Sequence, residues 1–205
     1  MKVHIYVEGG GDQNLTLTKC RRGFSKFFNK IVPSGHQPKI IACGSRMHAY
    51  NRFCTALVQH PDVFCILLVD GEAPVADDHG SWTHLKVRDN WDCPPSATDD
   101  NAHLMVQCME SWFLAVQKTL AQFYGQGFNL NALPKQTNIE KIPKNDVTQG
   151  LEAATRHTKT KGKYHKTRHG FDILTQIEPH KVRQASEHAE QLVTVLLQKS
   201  DDGDT

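Results

Sequence analysis

The sequence predicts an α/β fold in which helices flank a parallel β-sheet. Segments of strand length alternate with segments of helix length over residues 2–72, an order typical of βαβ units. Val63–Val69 is continuously apolar, which indicates a strand buried on both faces of a parallel sheet. The first and third predicted strands lead to the acids Glu8 and Asp70, so the carboxyl edge of the sheet is the predicted place for a site.

The first βα unit is predicted from its residue types. Lys2–Val7 forms a short strand that leads to Glu8, and the glycines at 9–11 break it. Asp12 belongs to the residue types that cap helices, and it precedes a predicted helix over residues 13–30. A glycine loop followed by a helix N-terminus favours a bound anion such as phosphate.

The second unit repeats this order. Residues 39–43 predict a strand, and Ser45 is the predicted cap of a helix that reaches about residue 59. The third strand, Val63–Val69, follows and ends in Asp70-Gly71-Glu72.

The middle of the chain predicts a long loop and a buried helix. Residues 73–101 are rich in Pro, Asp, Gly and His and contain one predicted strand at about 82–87. A helix is predicted over residues 103–117, which are apolar nearly all round. Glu110 shares one stripe of this helix with two other polar residues, and a buried glutamate needs a partner or a metal ion.

The C-terminal part predicts a helical extension. It contains predicted helices at residues 146–155 and 186–199. We divide the chain into a catalytic core at 1–125, an extension packed on it at 126–199, and an acidic disordered tail at 200–205.

Composition limits the class of protein. The 205 residues suit one domain with a substantial core, and the net charge of +2 is too small to indicate nucleic-acid binding by itself. The longest apolar run is too short for a membrane span, and the N-terminus has no secretory hydrophobic region, so we expect a cytoplasmic protein. The six cysteines lack zinc-knuckle spacing, and Cys65 and Cys108 are predicted core residues.

Five acids form the candidate site: Glu8, Asp12, Asp70, Glu72 and Glu110. Carboxylates at adjacent strand ends supply the oxygen ligands that Mg²⁺ or Mn²⁺ prefers, and such an ion can orient a phosphodiester and activate water. We therefore predict metal binding by Glu8, Asp70, Glu72 and Asp12, and a catalytic role for Glu110 beside the first three.

Three of these acids have a simpler explanation. Asp12 can be a plain helix cap, and Asp70 can be an ordinary strand end. Glu110 can form a buried salt bridge with one of three arginines, Arg21, Arg22 or Arg46. The glycines can form only a turn; they do not match the dinucleotide-binding pattern and no Walker lysine follows, so a nucleotide cofactor is disfavoured.

A basic segment lies in the extension. Residues 156–168 hold six Lys or Arg and no acid, a composition that can follow a phosphate backbone, although such runs are often only solvated surface. Tyr164 is predicted to stack on a base. The predicted nucleic-acid contacts are Lys159, Lys161, Lys163, Tyr164, His165, Lys166 and Arg168. His165 and His169 could bind a metal if helical, but no third ligand is evident.

Two stretches resemble the Toprim pattern, in which a glutamate follows the first strand and a DxD-like pair follows a later one. They are Val7-Glu8-Gly9-Gly10-Gly11-Asp12 and Leu68-Val69-Asp70-Gly71-Glu72. Over nearly its full length the chain is similar to a bacterial Toprim-like domain family of unknown function. The further matching stretches are Cys20–Phe24, Ala42–Arg46, Trp82–Leu85, Ala97–Asp100, His103–Ala115 and Lys163–Lys166.

The resemblance implies a Toprim fold, Mg²⁺ or Mn²⁺ at Glu8, Asp70 and Glu72, and cleavage of nucleic acid. The stretch around Glu110 is similar to a Cys-Phe-Glu-x-Trp helix of RloB-type Toprim relatives, which implies a place in the site. Relatives often accompany an ABC-type or OLD-like ATPase in anti-phage defence or abortive infection. The second acid of the usual DxD pair is Glu72 here, so the spacing departs from the pattern.

Three hypotheses follow. The first is a metal-dependent endonuclease that acts on RNA or DNA. The second is a non-catalytic Toprim-like subunit that binds an ABC/OLD-type ATPase, with residues 82–95 as a docking surface; self-association as a homo-oligomer is a further expectation. The third is phosphotransfer or hydrolysis of a small phosphorylated substrate.

Overall fold

The sheet has four parallel strands in the order β2-β1-β3-β4, as seen in a computed structural model that describes residues 1–201. The strands are β1 (Lys2–Val7), β2 (Lys39–Ala42), β3 (Val63–Asp70) and β4 (Ala102–Met105). Helices cover both faces, so the predicted α/β, Rossmann-like architecture is confirmed. All four strands share one carboxyl edge because they are parallel.

β3 is buried on both faces, as its apolar run predicts. Ile66 and Leu68 pack into one hydrophobic cluster, and Leu67 and Val69 pack into another on the opposite face. Alternate residues of a strand point to opposite faces, so a central strand covered on both sides needs an unbroken apolar sequence.

The first two helices lie on opposite faces of the sheet. α1 (Asn14–Phe28) packs its phenylalanines with β1, and α2 (Arg46–Gln59) packs on the other face. The Ser45 hydroxyl accepts a hydrogen bond from the His48 amide, so the predicted cap of α2 is confirmed. The cap predicted at Asp12 is wrong, because α1 begins after Gln13 and has no side-chain cap.

The strand predicted at 82–87 is wrong, because this segment is the helix α3 (Ser81–Asp89). Trp82 and Leu85 are buried together at helical spacing against the α2 face. The helix ends at Asn90, whose left-handed φ of 57° is a common way to stop a helix.

The helix predicted over residues 103–117 is also wrong. This stretch of the chain instead forms most of β4, an irregular turn and the short helix α4 (Ser111–Leu114). The helix α5 (Gln117–Tyr124) follows. Residues 101–114 are all buried, so the apolar pattern carries no periodicity that separates strand from helix. The backbone hydrogen bonds between β4 and β3 make this segment a strand rather than a helix.

The extension is helical and packs on the first cluster, which contains residues from both halves of the chain. Its helices are α6 (Lys144–Thr155), α7 (Phe171–Leu174), α8 (Pro179–Ala185) and α9 (Glu187–Asp201), and a helical turn at Lys166–Gly170 leads into α7. Residues 202–205 of the predicted tail lie outside the described part of the chain.

Cys65 and Cys108 are buried in the core, as predicted. All six cysteines are free thiols. Within residues 1–201, no helix is both long enough and apolar enough to cross a membrane.

Candidate metal centre

Three predicted carboxylates meet at the carboxyl edge of the sheet. β1 and β3 are neighbours with Val7 opposite Leu68, so Glu8 follows β1 at the level where β3 reaches Asp70. Glu72 returns to the same place two residues later. One ligand oxygen from each of Glu8, Asp70 and Glu72 lies within 4.8 Å of the others.

Arg46 holds Glu8 in position and is itself held by several other groups. The Glu8 Oε2 atom accepts hydrogen bonds from the Asp70 amide and from Arg46, both at 3.2 Å. Two further contacts of the Arg46 guanidinium, at 3.0 and 2.7 Å, go to the two carboxylate oxygens of Asp89. Arg46 also lies 5.2 Å from the centre of the Trp91 ring and donates to the Asp70 carbonyl. Ser45 positions it as the first residue of α2.

Asp70 is the most enclosed of the three, with 2% of its surface exposed. Its Oδ1 accepts a 2.7 Å hydrogen bond from the Met109 amide. Its Oδ2 lies 3.2 Å from the Lys166 ammonium, which comes from the basic segment of the extension.

Glu72 occupies a backbone conformation that is unusual for glutamate. Its φ is +65°, and its amide donates to the Gln107 carbonyl at 2.6 Å. A left-handed φ costs a non-glycine residue of order 1 kcal/mol and is often found at functional sites. The carboxylate accepts from the Lys144 ammonium at 2.6 Å and lies 3.8 Å from Arg88.

Glu110 lies behind Asp70 rather than on the predicted helix stripe, because it precedes α4 in an irregular turn. Its Oε1 accepts a 3.0 Å hydrogen bond from the Tyr164 hydroxyl, and its Oε2 lies 3.4 Å from the Lys166 ammonium. The predicted alternative, a salt bridge to Arg21, Arg22 or Arg46, is wrong. Lys166 is the partner, and it joins Glu110 to Asp70.

Asp12 does not join the group of three carboxylates. Its side chain is exposed in the glycine loop, where its Oδ1 lies close to Gly44. A metal-binding role for Asp12 therefore has no support in the geometry.

The side chains of the basic segment differ in their exposure and in their partners. Lys159, Lys161, His165 and Arg168 are exposed, and the Lys161 ammonium lies 4.3 Å from the centre of the Phe123 ring. Lys163 pairs with Glu152 at 2.6 Å. The sequence prediction that Tyr164 stacks on a base is wrong, because its ring is buried. The His165 amide donates to Nδ1 of His169 at 3.2 Å, which leaves that atom unsuited to a metal.

Burial and mutual repulsion act on the carboxylates. Burial raises the pKa of Glu8, and the negative charge of Asp70 raises it further, against the opposing effect of Arg46. Burial also raises the pKa of Asp70, and Lys166 opposes it. Burial raises the pKa of Glu72, but Lys144 together with Arg88 and Arg46 outweighs this effect, so the pKa is lowered overall. A bound divalent cation would favour the ionised form of all three groups.

A cleft of about 170 Å³ opens beside Glu8 and Asp70. Its lining includes the glycine loop, Lys166 and Thr167. Gly10 has a φ of +91°, and a Cβ at this position would lie 3.0–3.2 Å from the backbone of α1, so the loop requires glycine there. Larger cavities lie elsewhere, including one of about 600 Å³ against α9, but the three carboxylates do not line it.

The donor set fits a hard divalent cation. In an octahedral Mg²⁺ site with bonds of about 2.1 Å, neighbouring oxygens lie about 3 Å apart and opposite oxygens about 4.2 Å apart, so three ligand oxygens within 4.8 Å of one another must move closer together to bind one ion. The slightly longer bonds of Mn²⁺ need less closure. Glu8, Asp70 and Glu72 can therefore hold one such ion once their side chains close around it.

Sequence reasoning missed the cations that face these carboxylates. The sequence suggests Arg46 only as a possible partner of Glu110, and it gives no indication of Lys144. The N-terminal position of Arg46 on a helix that begins at the carboxyl edge was a usable signal. No local pattern indicates that Lys144 meets Glu72, because 72 residues separate them.

A family profile described as "Domain of unknown function (DUF4276)" matches residues 7–197. No curated protein and no solved structure shows a significant match to the chain. The matched range contains all three carboxylates and the basic segment.

Proposed function

Since the chain belongs to the DUF4276 family, we propose its function from the site itself: a Mg²⁺- or Mn²⁺-dependent endonuclease of Toprim type. The proposed substrate is RNA or DNA, and the proposed setting is the cytoplasm, as the effector of an anti-phage or abortive-infection system. The role in defence rests on the Toprim resemblance alone, whereas the activity rests on the site.

The convergence of Glu8, Asp70 and Glu72 carries this proposal. They come from two neighbouring strand ends and a following turn, and their oxygens lie within 4.8 Å of one another beside a cleft. An ion held there would polarise a phosphoryl oxygen and lower the pKa of bound water.

The surrounding residues have roles that suit a phosphodiester. The glycine loop lets backbone approach a phosphate in the cleft, and Lys166 presents a positive charge there. The exposed cations Lys159, Lys161 and Arg168 can follow a phosphate backbone outside the cleft. Arg46 keeps Glu8 directed at Asp70.

Cleavage assays on tRNA, single-stranded DNA and duplex DNA with Mg²⁺ or Mn²⁺ test the activity. We expect cleavage by the wild type that chelation removes and that a Glu8→Gln, Asp70→Asn double variant lacks. Asp62→Asn is the matched control, because Asp62 is exposed before β3, at the opposite end of the sheet. Equal cleavage by the double variant and the control would contradict the proposal. Cleavage of nucleotides but not of polymers would indicate the small-substrate hypothesis.

One observation favours a second candidate, a non-catalytic subunit that binds an ABC/OLD-type ATPase. Each carboxylate already has a basic partner: Glu8 pairs with Arg46, Asp70 with Lys166 and Glu72 with Lys144. Such pairing can stabilise a fold without a metal ion. Calorimetry that detects no Mn²⁺ binding, together with a stable complex with an ATPase, would favour this candidate.

A further inference from the structure

Lys166 reaches the site from the extension and lies between two buried carboxylates. Its ammonium is 3.2 Å from Asp70 Oδ2 and 3.4 Å from Glu110 Oε2. The side chain is 44% exposed, so its stem lies toward solvent while its charged end reaches the buried acids. The ammonium therefore occupies the kind of position, between two carboxylates, in which two-metal nucleases hold a second cation.

Glu110 supplies an independent observation. Only 4% of its surface is exposed, and within the described part of the chain its Oε2 atom is buried without a hydrogen-bond partner. A buried carboxylate oxygen needs a compensating charge or donor. The nearby Lys166 ammonium supplies charge, but it is not positioned to donate a hydrogen bond to this atom. Glu110 Oε2 thus lies beside a positive charge but accepts no hydrogen bond from it.

The cleft gives this cation access to a substrate. Lys166 lines it together with Thr167 and the glycine loop. A lysine acts on phosphate as a compact point charge, and its flexible stem allows the ammonium to move a short distance into the cleft. An arginine fixed by several partners, as Arg46 is, could not make this movement.

We propose that the Lys166 ammonium takes the place of a second metal ion, so that the site binds one divalent cation per chain and Lys166 contacts the substrate phosphate. The single ion lies among Glu8, Asp70 and Glu72, and Lys166 supplies the second positive charge between Asp70 and Glu110. This inference rests on the proposed function, because it assigns the charges of the same site.

Counting bound Mn²⁺ tests the inference without any measurement of activity. Electron paramagnetic resonance of free Mn²⁺ gives the number of ions bound per chain. We expect one ion in the wild type, one in Lys166→Arg, which keeps the charge, and two in Lys166→Met, where the second ion replaces the ammonium. The first ion should also bind Lys166→Met about tenfold more tightly, because a nearby positive charge is removed.

Lys163→Met is the matched control, because Lys163 belongs to the same segment and pairs with Glu152 instead. It should bind one ion with wild-type affinity. One ion at unchanged affinity in a folded Lys166→Met variant would overturn the inference.

The spectrum of the wild type saturated with Mn²⁺ gives a test that does not depend on the folding of a variant. A mononuclear signal supports the inference, and an exchange-coupled pair overturns it while leaving the proposed nuclease intact. No bound Mn²⁺ at all would overturn the proposed function together with the inference, so the two failures are distinguishable.

Discussion

The core and the extension neutralise the same carboxylate cluster in different ways. In the core, Glu8 pairs with Arg46, which is 13% exposed and is fixed by both oxygens of Asp89 and by the Trp91 ring. In the extension, Lys144 reaches Glu72 on a side chain that is 34% exposed, and Lys166 reaches Asp70 on one that is 44% exposed. The first arrangement is rigid, and the second is built from side chains that can exchange partners.

This difference indicates a division of labour. A guanidinium with several fixed partners orients its carboxylate, whereas an ammonium on a solvated stem is displaced at small cost. Binding of a divalent cation should therefore move Lys144 away from Glu72 and leave Arg46 in place. Variants of the two regions should therefore differ in metal affinity and in stability.

The largest expected effect is the loss of Mn²⁺ affinity when Asp70, which contacts both the core and the extension, is replaced. Asp70→Asn removes a charged ligand from the centre of the cluster, and we expect Mn²⁺ affinity to fall more than about 100-fold, beyond the usual effect of removing an indirect partner. Isothermal calorimetry measures the affinity, and Asp62→Asn should bind as the wild type does. Tight binding by Asp70→Asn would place the ion elsewhere.

Removal of Arg46, which is fixed in the core, should cause the largest loss in the free energy of unfolding. Arg46→Met leaves the largely enclosed Glu8 without its basic partner and leaves Asp89 with Arg88 alone, and we expect a loss of about 3 kcal/mol in the free energy of unfolding. Urea denaturation measures it. Arg22→Met is the control, because Arg22 pairs with Asp172 at the surface and should lose less than about 1 kcal/mol. Equal losses in the two variants would show that Arg46 stabilises the fold no more than a surface arginine does.

The same contrast separates what the sequence predicted from what it missed. The core was largely predictable, because β1, α1 and β3 have local patterns and the acids at strand ends follow from the parallel order. β4 was missed, because a segment buried all round has no periodicity. Strand or helix is decided there by pairing with β3, which is a long-range contact.

The extension was less predictable for a related reason. Its basic segment resembles a solvated phosphate-binding run, yet Tyr164 is buried against Glu110 and Lys166 reaches Asp70. The tertiary fold, rather than local sequence, decides which of several similar cations turns inward. Glu110 was placed in the site by an incorrect helix, and its proximity to Asp70 arises instead from the turn after β4.

The exposed cations of the extension should affect affinity for nucleic acid rather than for metal. A Lys159→Ala, Lys161→Ala, Arg168→Ala variant loses up to three phosphate contacts, so we expect nucleic-acid affinity to fall about tenfold or more at moderate salt, with a shallower salt dependence. Fluorescence anisotropy with a labelled strand measures both. Mn²⁺ affinity should not change. An unchanged salt slope would indicate that these side chains are only solvated surface.

The smallest effect is expected for the exchangeable pair of Lys144 and Glu72. Because Lys144 lowers the pKa of Glu72 below its usual value of 4.5, the pair stabilises the fold above that pH, and the contribution is lost as the pH falls through the lowered pKa. Lys144→Met should therefore reduce the free energy of unfolding by less than about 1 kcal/mol at neutral pH. The difference from the wild type should shrink as the pH falls below 4.5.

Urea denaturation across this pH range measures the contribution of Lys144, with Lys163→Met as a control for loss of a lysine from a more exposed pair. A loss for Lys144→Met that stays constant with pH would mean that Lys144 acts by packing rather than by charge. A loss as large as that of Arg46→Met would make Lys144 a fixed anchor, and the extension would then be as rigid at the site as the core. A small, pH-dependent loss is the result that an exchangeable cation requires, since a side chain that yields to a metal ion cannot contribute much to the fold while it is in place.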